Sequence, residues 1–171
     1  SRKQYRNTQA LIHLSQFLMV KTGRLARDDT PATDVAGTPA RLIDLGELKE
    51  VEEVRVALVR EMEEVEREGR TPGVILCDFN VHRGRSLLCV VEQEGAARGW
   101  RVKRAVYYKG WEEDSVIYLG PGHIEPFSRA KLHLSIILFW EKTKSHKEVF
   151  WQYNLYSPVL KLAASKGLAW D

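Results

Sequence analysis

The sequence has only two cysteines in 171 residues, Cys77 and Cys89, and both lie in apolar stretches. They lack the C-x-x-C spacing that is typical of zinc or redox sites, and two thiols form no disulfide framework. Cysteines in such surroundings usually act as small buried hydrophobic residues. Because a disulfide-free chain is typical of a reducing compartment, we expect an intracellular protein, in the cytoplasm or the nucleus.

Long apolar runs and the common catalytic motifs are also missing. The longest apolar run lies around residues 134–140, far short of the roughly 20 residues that a membrane span needs. The basic start of the chain is not followed by the apolar stretch of a secretory signal. There is no Walker loop, no dinucleotide fingerprint and no G-x-S-x-G elbow. The sequence therefore predicts no membrane association, no cofactor and no metal site.

Charge is distributed unevenly, although the net charge is only +3. Residues 1–27 contain six Lys or Arg and no acid, residues 28–68 contain thirteen acids and five bases, and residues 69–111 contain eight bases and three acids. Such asymmetry indicates either a polyanionic partner for the basic parts or an internal contact between the basic N-terminus and the acidic segment.

Length and composition predict one globular domain over residues 1–171. Apolar residues make up 44% and charged residues 29%, which excludes a disordered chain. We divide the domain into a basic N-terminal helix or arm (1–27), a linker (28–44) and an α+β core (45–171). The first helix should run from about Thr8 to Thr22, with Asn7 or Thr8 as its cap and Gly23 as its end.

A longer helix is predicted from Leu45 to Glu68. Asp44 followed by Glu47 resembles a capping box, and Gly69 provides a stop signal. Apolar residues recur at steps of three and four and form one stripe on an otherwise acidic helix. These residues are Val51, Val54, Leu58, Met62 and Val65. The stripe should pack on a sheet, although it could also pair with a second copy.

The remainder of the chain reads as strands joined by tight turns. We predict strands at residues 74–81, 86–92, 100–109, 115–119, 131–142 and 149–156, with Arg83-Gly84 as a hairpin turn. The segment 131–142 is ambiguous between strand and helix. Ser157-Pro158 should begin a final short helix. Short links favour an antiparallel meander of about five or six strands packed with two to three helices, an α+β fold.

The best candidate for a binding surface is the strand at residues 100–109. Alternation places cations and one aromatic ring on one face, with further cations in the adjacent turns, and such a row can hold a phosphate backbone and stack a base. The candidate residues are Arg83, Arg85, Arg98, Arg101, Lys103, Tyr107 and Lys109. We therefore expect a nucleic-acid-binding protein without catalytic activity, with DNA or RNA as partner. The same cations could simply solvate an edge strand.

Two alternatives remain open. The first is a protein-interaction or oligomerisation module, with a possible homodimer formed by the apolar stripe and the aromatic C-terminal segment. The second is a metal-dependent nuclease that uses Asp78 and Glu92, because clustered carboxylates hold the divalent metals of nucleases. The predicted hairpin register places these two acids on opposite faces, so we expect that they do not share a metal.

Overall fold

The described part of the chain is built around one sheet whose pairings are all parallel. A computed structural model describes residues 8–23, 37–79, 85–105, 112–123, 127, 129–142 and 146–170. Its strands are β1 (Ala40–Glu47), β2 (Val74–Cys77), β3 (Arg101–Arg104), β4 (Glu113–Gly120), β5 (Ala130–Trp140) and β6 (Ala169–Trp170). Its helices are α1 (Gln9–Lys21), α2 (Val51–Arg67), α3 (Arg85–Ala97) and α4 (His146–Ser165). The strand order is β3-β2-β4-β5-β1-β6.

The predicted antiparallel meander, and with it the α+β class, is wrong, because every strand pairs in parallel. Parallel neighbours cannot be joined by a tight turn and need a crossover connection. The fold is therefore α/β. The central strands also lack the alternation of a half-exposed antiparallel sheet: all four residues of β2 are buried, as is most of β4 and β5. Burial on both faces is the reason for these continuous apolar runs.

Two segments predicted as strands are helices. Residues 86–92 belong to α3, which directs Leu87 and Val91 into the core and leaves Cys89 exposed. Residues 149–156 belong to α4, and Pro158 lies inside that helix rather than at the start of a new one. The segment 131–142 is a strand, β5, but its neighbours β4 and β1 both run parallel to it and form no hairpin.

The acidic helix begins later than the sequence indicated. Residues 40–47 form β1, so the last five residues of the predicted linker belong to a strand, while residues 28–36 of it lie outside the described residues. The helix starts at Val51 rather than Leu45. Its cap is Glu50, which forms a capping box with Glu53, whereas Asp44 lies in β1. The predicted burial is confirmed for Val54, Leu58, Met62 and Val65, whereas Val51 is only half-buried. The first helix is confirmed, with Thr8 as its cap.

The helices cover the two faces of the sheet in separate pairs. α2 and α3 pack with Ile75, Ile117 and Ile137 on one face. α1 and α4 pack with Leu42, Tyr118 and other residues of the opposite face. Within the described ranges, none of the helices has both the length and the apolar character that crossing a membrane requires.

Candidate site at the carboxyl edge of the sheet

Strands β2 and β4 are neighbours in the sheet. At their carboxyl ends the chain leaves β2 toward one face of the sheet and β4 toward the other. After β2 it continues into α3, which packs on the α2 face. After β4 it passes through Phe127, which packs on the α1 and α4 face. In parallel α/β sheets, ligands bind in the crevice that such a switch in direction opens outside the carboxyl ends of the strands. The fold therefore directs attention to Asp78, after β2, and to residues 120–123, at and after the end of β4.

The Tyr118 hydroxyl is the centre of a hydrogen-bond cluster at this edge. It donates to Asp78 Oδ2 and accepts from the backbone N–H groups of Gly122 and His123, both at 2.9 Å. Burial raises the pKa of Tyr118 well above its ordinary value, and the adjacent Asp78 carboxylate raises it further. The phenol therefore remains protonated and can act as a donor.

A carboxylate and an amide fix the orientation of the His123 ring. Asp78 Oδ2 contacts Nδ1, and the Gln152 amide nitrogen lies 2.6 Å from Nε2 and 2.7 Å from Nδ1. Since Asp78 can only accept, the ring nitrogen that faces it, Nδ1, carries a proton. The Gln152 amide nitrogen is almost equally distant from both ring nitrogens, so it contacts the ring between them rather than one lone pair. The Asp78 side chain is 10% exposed and the His123 side chain 44%, so a buried carboxylate orients a half-exposed imidazole.

Gly120 allows the ends of β2 and β4 to approach closely. Its φ is +156°, and a Cβ atom there would lie 2.4 Å from the backbone oxygen of Asp78. The Asp78 N–H donates to the Leu119 carbonyl at 2.8 Å, so the strands remain paired up to this point. The glycine lets the Asp78 carboxylate reach Tyr118 and His123, which a residue with a side chain at position 120 would prevent.

Three of the predicted basic residues, Arg98, Arg101 and Lys103, differ in whether a carboxylate lies beside them. Arg101 and Lys103 are both exposed on the same face of β3, the outermost strand, as alternation predicted. Arg101 forms an ion pair with Glu113. Arg98 precedes the strand and lies 3.6 Å from a Glu66 carboxylate oxygen. Lys103 is exposed, and no carboxylate of the described residues pairs with it.

The other predicted contact residues cannot be placed on this surface. Arg83, Tyr107 and Lys109 lie outside the described residues. Arg85 is the first residue of α3, which replaces the predicted hairpin strand. By connectivity, the segment that carries Arg83 follows β2, and the one that carries Tyr107 and Lys109 follows β3.

The argument that separated Asp78 from Glu92 was based on a wrong register. Glu92 lies on α3 and is exposed, so it is not on a strand that pairs with β2. The Asp78 carboxylate contacts Tyr118 and His123 instead. Among the described residues, no group of three His, Cys, Asp or Glu side chains lies close enough together to hold a metal ion.

Sequence reasoning identified Asp78 as a candidate but paired it with Glu92, and it did not connect Asp78 with His123, Tyr118 or Gln152. One signal was present: Tyr118 is a polar-tipped residue in an apolar strand, two residues before the Gly120-Pro121-Gly122 turn. Gln152 could not be found because residues 149–156 were interpreted as a strand.

Comparison with solved structures shows a likeness in fold. No protein-family model matches the chain, and no curated protein matches its sequence. Among solved structures, the chain is similar to the C-terminal domain of a possible DNA helicase from Lactobacillus plantarum WCFS1. The match has a TM-score of 0.56 and 15% sequence identity, and it covers 85% of this chain and 94% of that chain. At this identity the likeness shows a shared fold.

Proposed function

We propose that this domain binds nucleic acid at the carboxyl edge of its parallel sheet. The observation that carries the proposal is the likeness to the C-terminal domain of a possible DNA helicase, which extends over most of both chains. The location comes from topology, because parallel sheets bind ligands outside the carboxyl ends of their strands at a switch point. Here that point lies between β2 and β4, and β3, which carries Lys103 near its carboxyl end, is the next strand on the other side of β2.

Charge and connectivity support this location. Lys103 is opposite Leu76 in the β2–β3 register, one residue from the carboxyl end of both strands. The chain segments that carry Arg83 and Lys109 follow these same strands. Cations near one edge can contact successive phosphates and release condensed counterions. Tyr107, in the segment after β3, would stack on a base.

The existing ion pairs predict an order among the cations. Arg98 and Arg101 are already close to carboxylates, so a phosphate would have to compete with Glu66 or Glu113 for them. Lys103 faces no such competition from the described residues. We expect that neutralising Lys103 weakens binding more than neutralising Arg98 does.

Fluorescence anisotropy with labelled oligonucleotides at several salt concentrations tests the proposal. Lys103→Ala should weaken binding similarly on unrelated sequences and lower the log–log salt slope by up to about 1. Tyr107→Ala should instead remove roughly 1–3 kcal/mol of stacking with little change in slope. Its effect should be larger on single strands, because paired bases do not expose their faces to a ring.

Lys166→Ala is the matched control. Lys166 is exposed just after α4, and its replacement changes the net charge by the same amount. If the control weakens binding as much as Lys103→Ala does, the protein attracts polyanions only through its overall charge. If the parent protein does not bind at low salt, the proposal is wrong.

A further inference from the structure

Helix α4 has an apolar stripe on the side that faces away from the sheet. Trp151 is 78% exposed, Leu155 is 59% exposed and Leu162 is 41% exposed. Pro158, which is also exposed, completes the series 151, 155, 158 and 162. Steps of four, three and four residues place these side chains in one row along a helix. Exposed apolar rows of this kind mark sites of protein contact.

The opposite side of α4 is firmly attached, so the stripe is not a core face left open by a loose helix. Tyr156, Leu160 and Ala163 are buried against the sheet. The Asp44 carboxylate of β1 accepts hydrogen bonds from the Tyr153 hydroxyl at 2.7 Å and the Ser157 hydroxyl at 2.9 Å. α4 is therefore apolar on two sides, and only one of them is covered by the described residues.

Charge around the stripe favours a second copy of this chain as the partner. Residues 149–160 are twelve consecutive residues without a charged side chain. The exposed residues among them are Phe150, Trp151, Asn154, Leu155 and Pro158, so the solvent-facing side of this segment is uncharged as well as the side that packs on the sheet. In a two-fold interface every charge near the axis meets its own copy, so the centre must be free of like charges. Depletion of charge and enrichment in aromatic residues also characterise the cores of protein interfaces.

We propose that α4 pairs with α4 of a second copy in antiparallel orientation about a two-fold axis. The spacing of the stripe, 4-3-4, is the same from either end, so two antiparallel copies can align residue against residue. Trp151 therefore faces Leu162 of the second copy, and Leu155 faces Pro158. The paired row is about 16 Å long at 1.5 Å per residue.

The small area of this contact limits the affinity of the dimer. Four side chains per copy make a contact at the small end of specific interfaces, below about 1,200 Å² in total. The dimer should therefore dissociate on dilution, and its contact depends on the residues nearest to the axis. Leu155 is the most suitable position for substitution because its exposure allows a polar residue without disturbing the core.

Sedimentation velocity over a concentration series provides the test. The parent protein should change from monomer to dimer with rising concentration. Leu155→Glu and Leu155→Lys should each remain monomeric, because like charges then meet near the axis. An equimolar mixture of these two variants should form dimers again, since opposite charges meet there. Circular dichroism of each variant verifies that the fold is kept.

Val56→Glu is the matched control, because Val56 is 56% exposed on α2, on the other face of the sheet. It should dimerise like the parent. A parent protein that is monomeric at every concentration would overturn the proposal, as would a dimer that survives Leu155→Glu. A mixture of the two charged variants that fails to associate would mean that the stripe binds a different surface, which also contradicts two-fold pairing. Dissociation by Val56→Glu would assign the contact to another face.

Discussion

The ion pair between Arg41 of β1 and Glu61 of α2 connects the helix to the sheet, and its two side chains differ in solvent exposure. The Glu61 side chain is fully buried, whereas that of Arg41 is 25% exposed. Arg41 Nε donates to Glu61 Oε1 at 2.6 Å, and the Ser135 hydroxyl donates to the same oxygen at 2.9 Å. The hydrogen bond to Glu61 raises the pKa of Arg41. Replacing Arg41 should therefore change the free energy of unfolding by a different amount than replacing Glu61 does.

Arg41→Met should be the more damaging change, because it leaves a buried carboxylate with one neutral donor. Breaking a buried pair in this way costs about 3–5 kcal/mol. Glu61→Gln keeps the shape of the side chain and leaves Arg41 partly in water, so we expect a cost of about 1–2 kcal/mol. For a chain of this length 1 kcal/mol corresponds to roughly 2–4 °C in Tm. Arg41→Met should thus lower Tm by roughly 6–20 °C and Glu61→Gln by roughly 2–8 °C.

Urea unfolding at pH 7 measures both changes, and the double variant Arg41→Met/Glu61→Met is the decisive control. Replacing both members of a buried pair by apolar residues of similar volume is often neutral or stabilising. The double variant should therefore be more stable than Arg41→Met alone. If Arg41→Met costs no more than Glu61→Gln, or if the double variant is no more stable than Arg41→Met alone, the carboxylate is not buried as the structure indicates and the reasoning fails.

Three further predictions follow from buried groups. Burial lowers the pKa of His133 despite the neighbouring Glu68 carboxylate. Below pH ~6.5 His133 therefore gains a proton in the unfolded chain before it does so in the folded protein, and the free energy of unfolding should fall. Urea midpoints that stay constant from pH 7.5 to 5 would contradict this. Burial raises the pKa of the Cys77 thiol to about 12, so only Cys89 should react with iodoacetamide in the folded protein, as mass spectrometry can verify. Gly73→Ala should lower Tm sharply, because its Cβ would lie 1.9 Å from a β4 carbonyl oxygen; an unchanged Tm would refute this packing.

Local elements could be predicted wherever one periodicity dominates. The step of three and four residues in α2 identified its buried side correctly from Val54 to Val65. Its start could not be located, because Ala40–Glu47 pairs with β5 and this pairing, rather than local propensity, makes it a strand. Asp44 and Glu47 offered a plausible cap that tertiary contacts overrode. The actual capping box is six residues later at Glu50.

The error in fold class came from residues 85–97. Ser86 to Glu92 contains five apolar residues in a row, and such a run fits a buried strand or a helix equally well. The short stretch around Gly84 looked like a hairpin turn and decided the choice for a strand. A helix in its place turns the connection into a crossover and makes β2 and β3 parallel. This misassigned segment explains the direction of β3 relative to β2, whereas the parallel pairs β4–β5 and β1–β5 depend on other connections.

The candidate site depends on contacts that no local pattern contains. Asp78 was named as a candidate carboxylate within the predicted strand 74–81, whereas in the structure it directly follows β2, which ends at Cys77. Its partners are 40 and 45 residues away in sequence and reach it only because β4 lies beside β2, although β3 comes between them along the chain. An antiparallel meander would have placed β3 beside β4 and separated Asp78 from Tyr118. Strand order therefore decides which side chains can meet, whereas periodicity decides only which face of an element is buried.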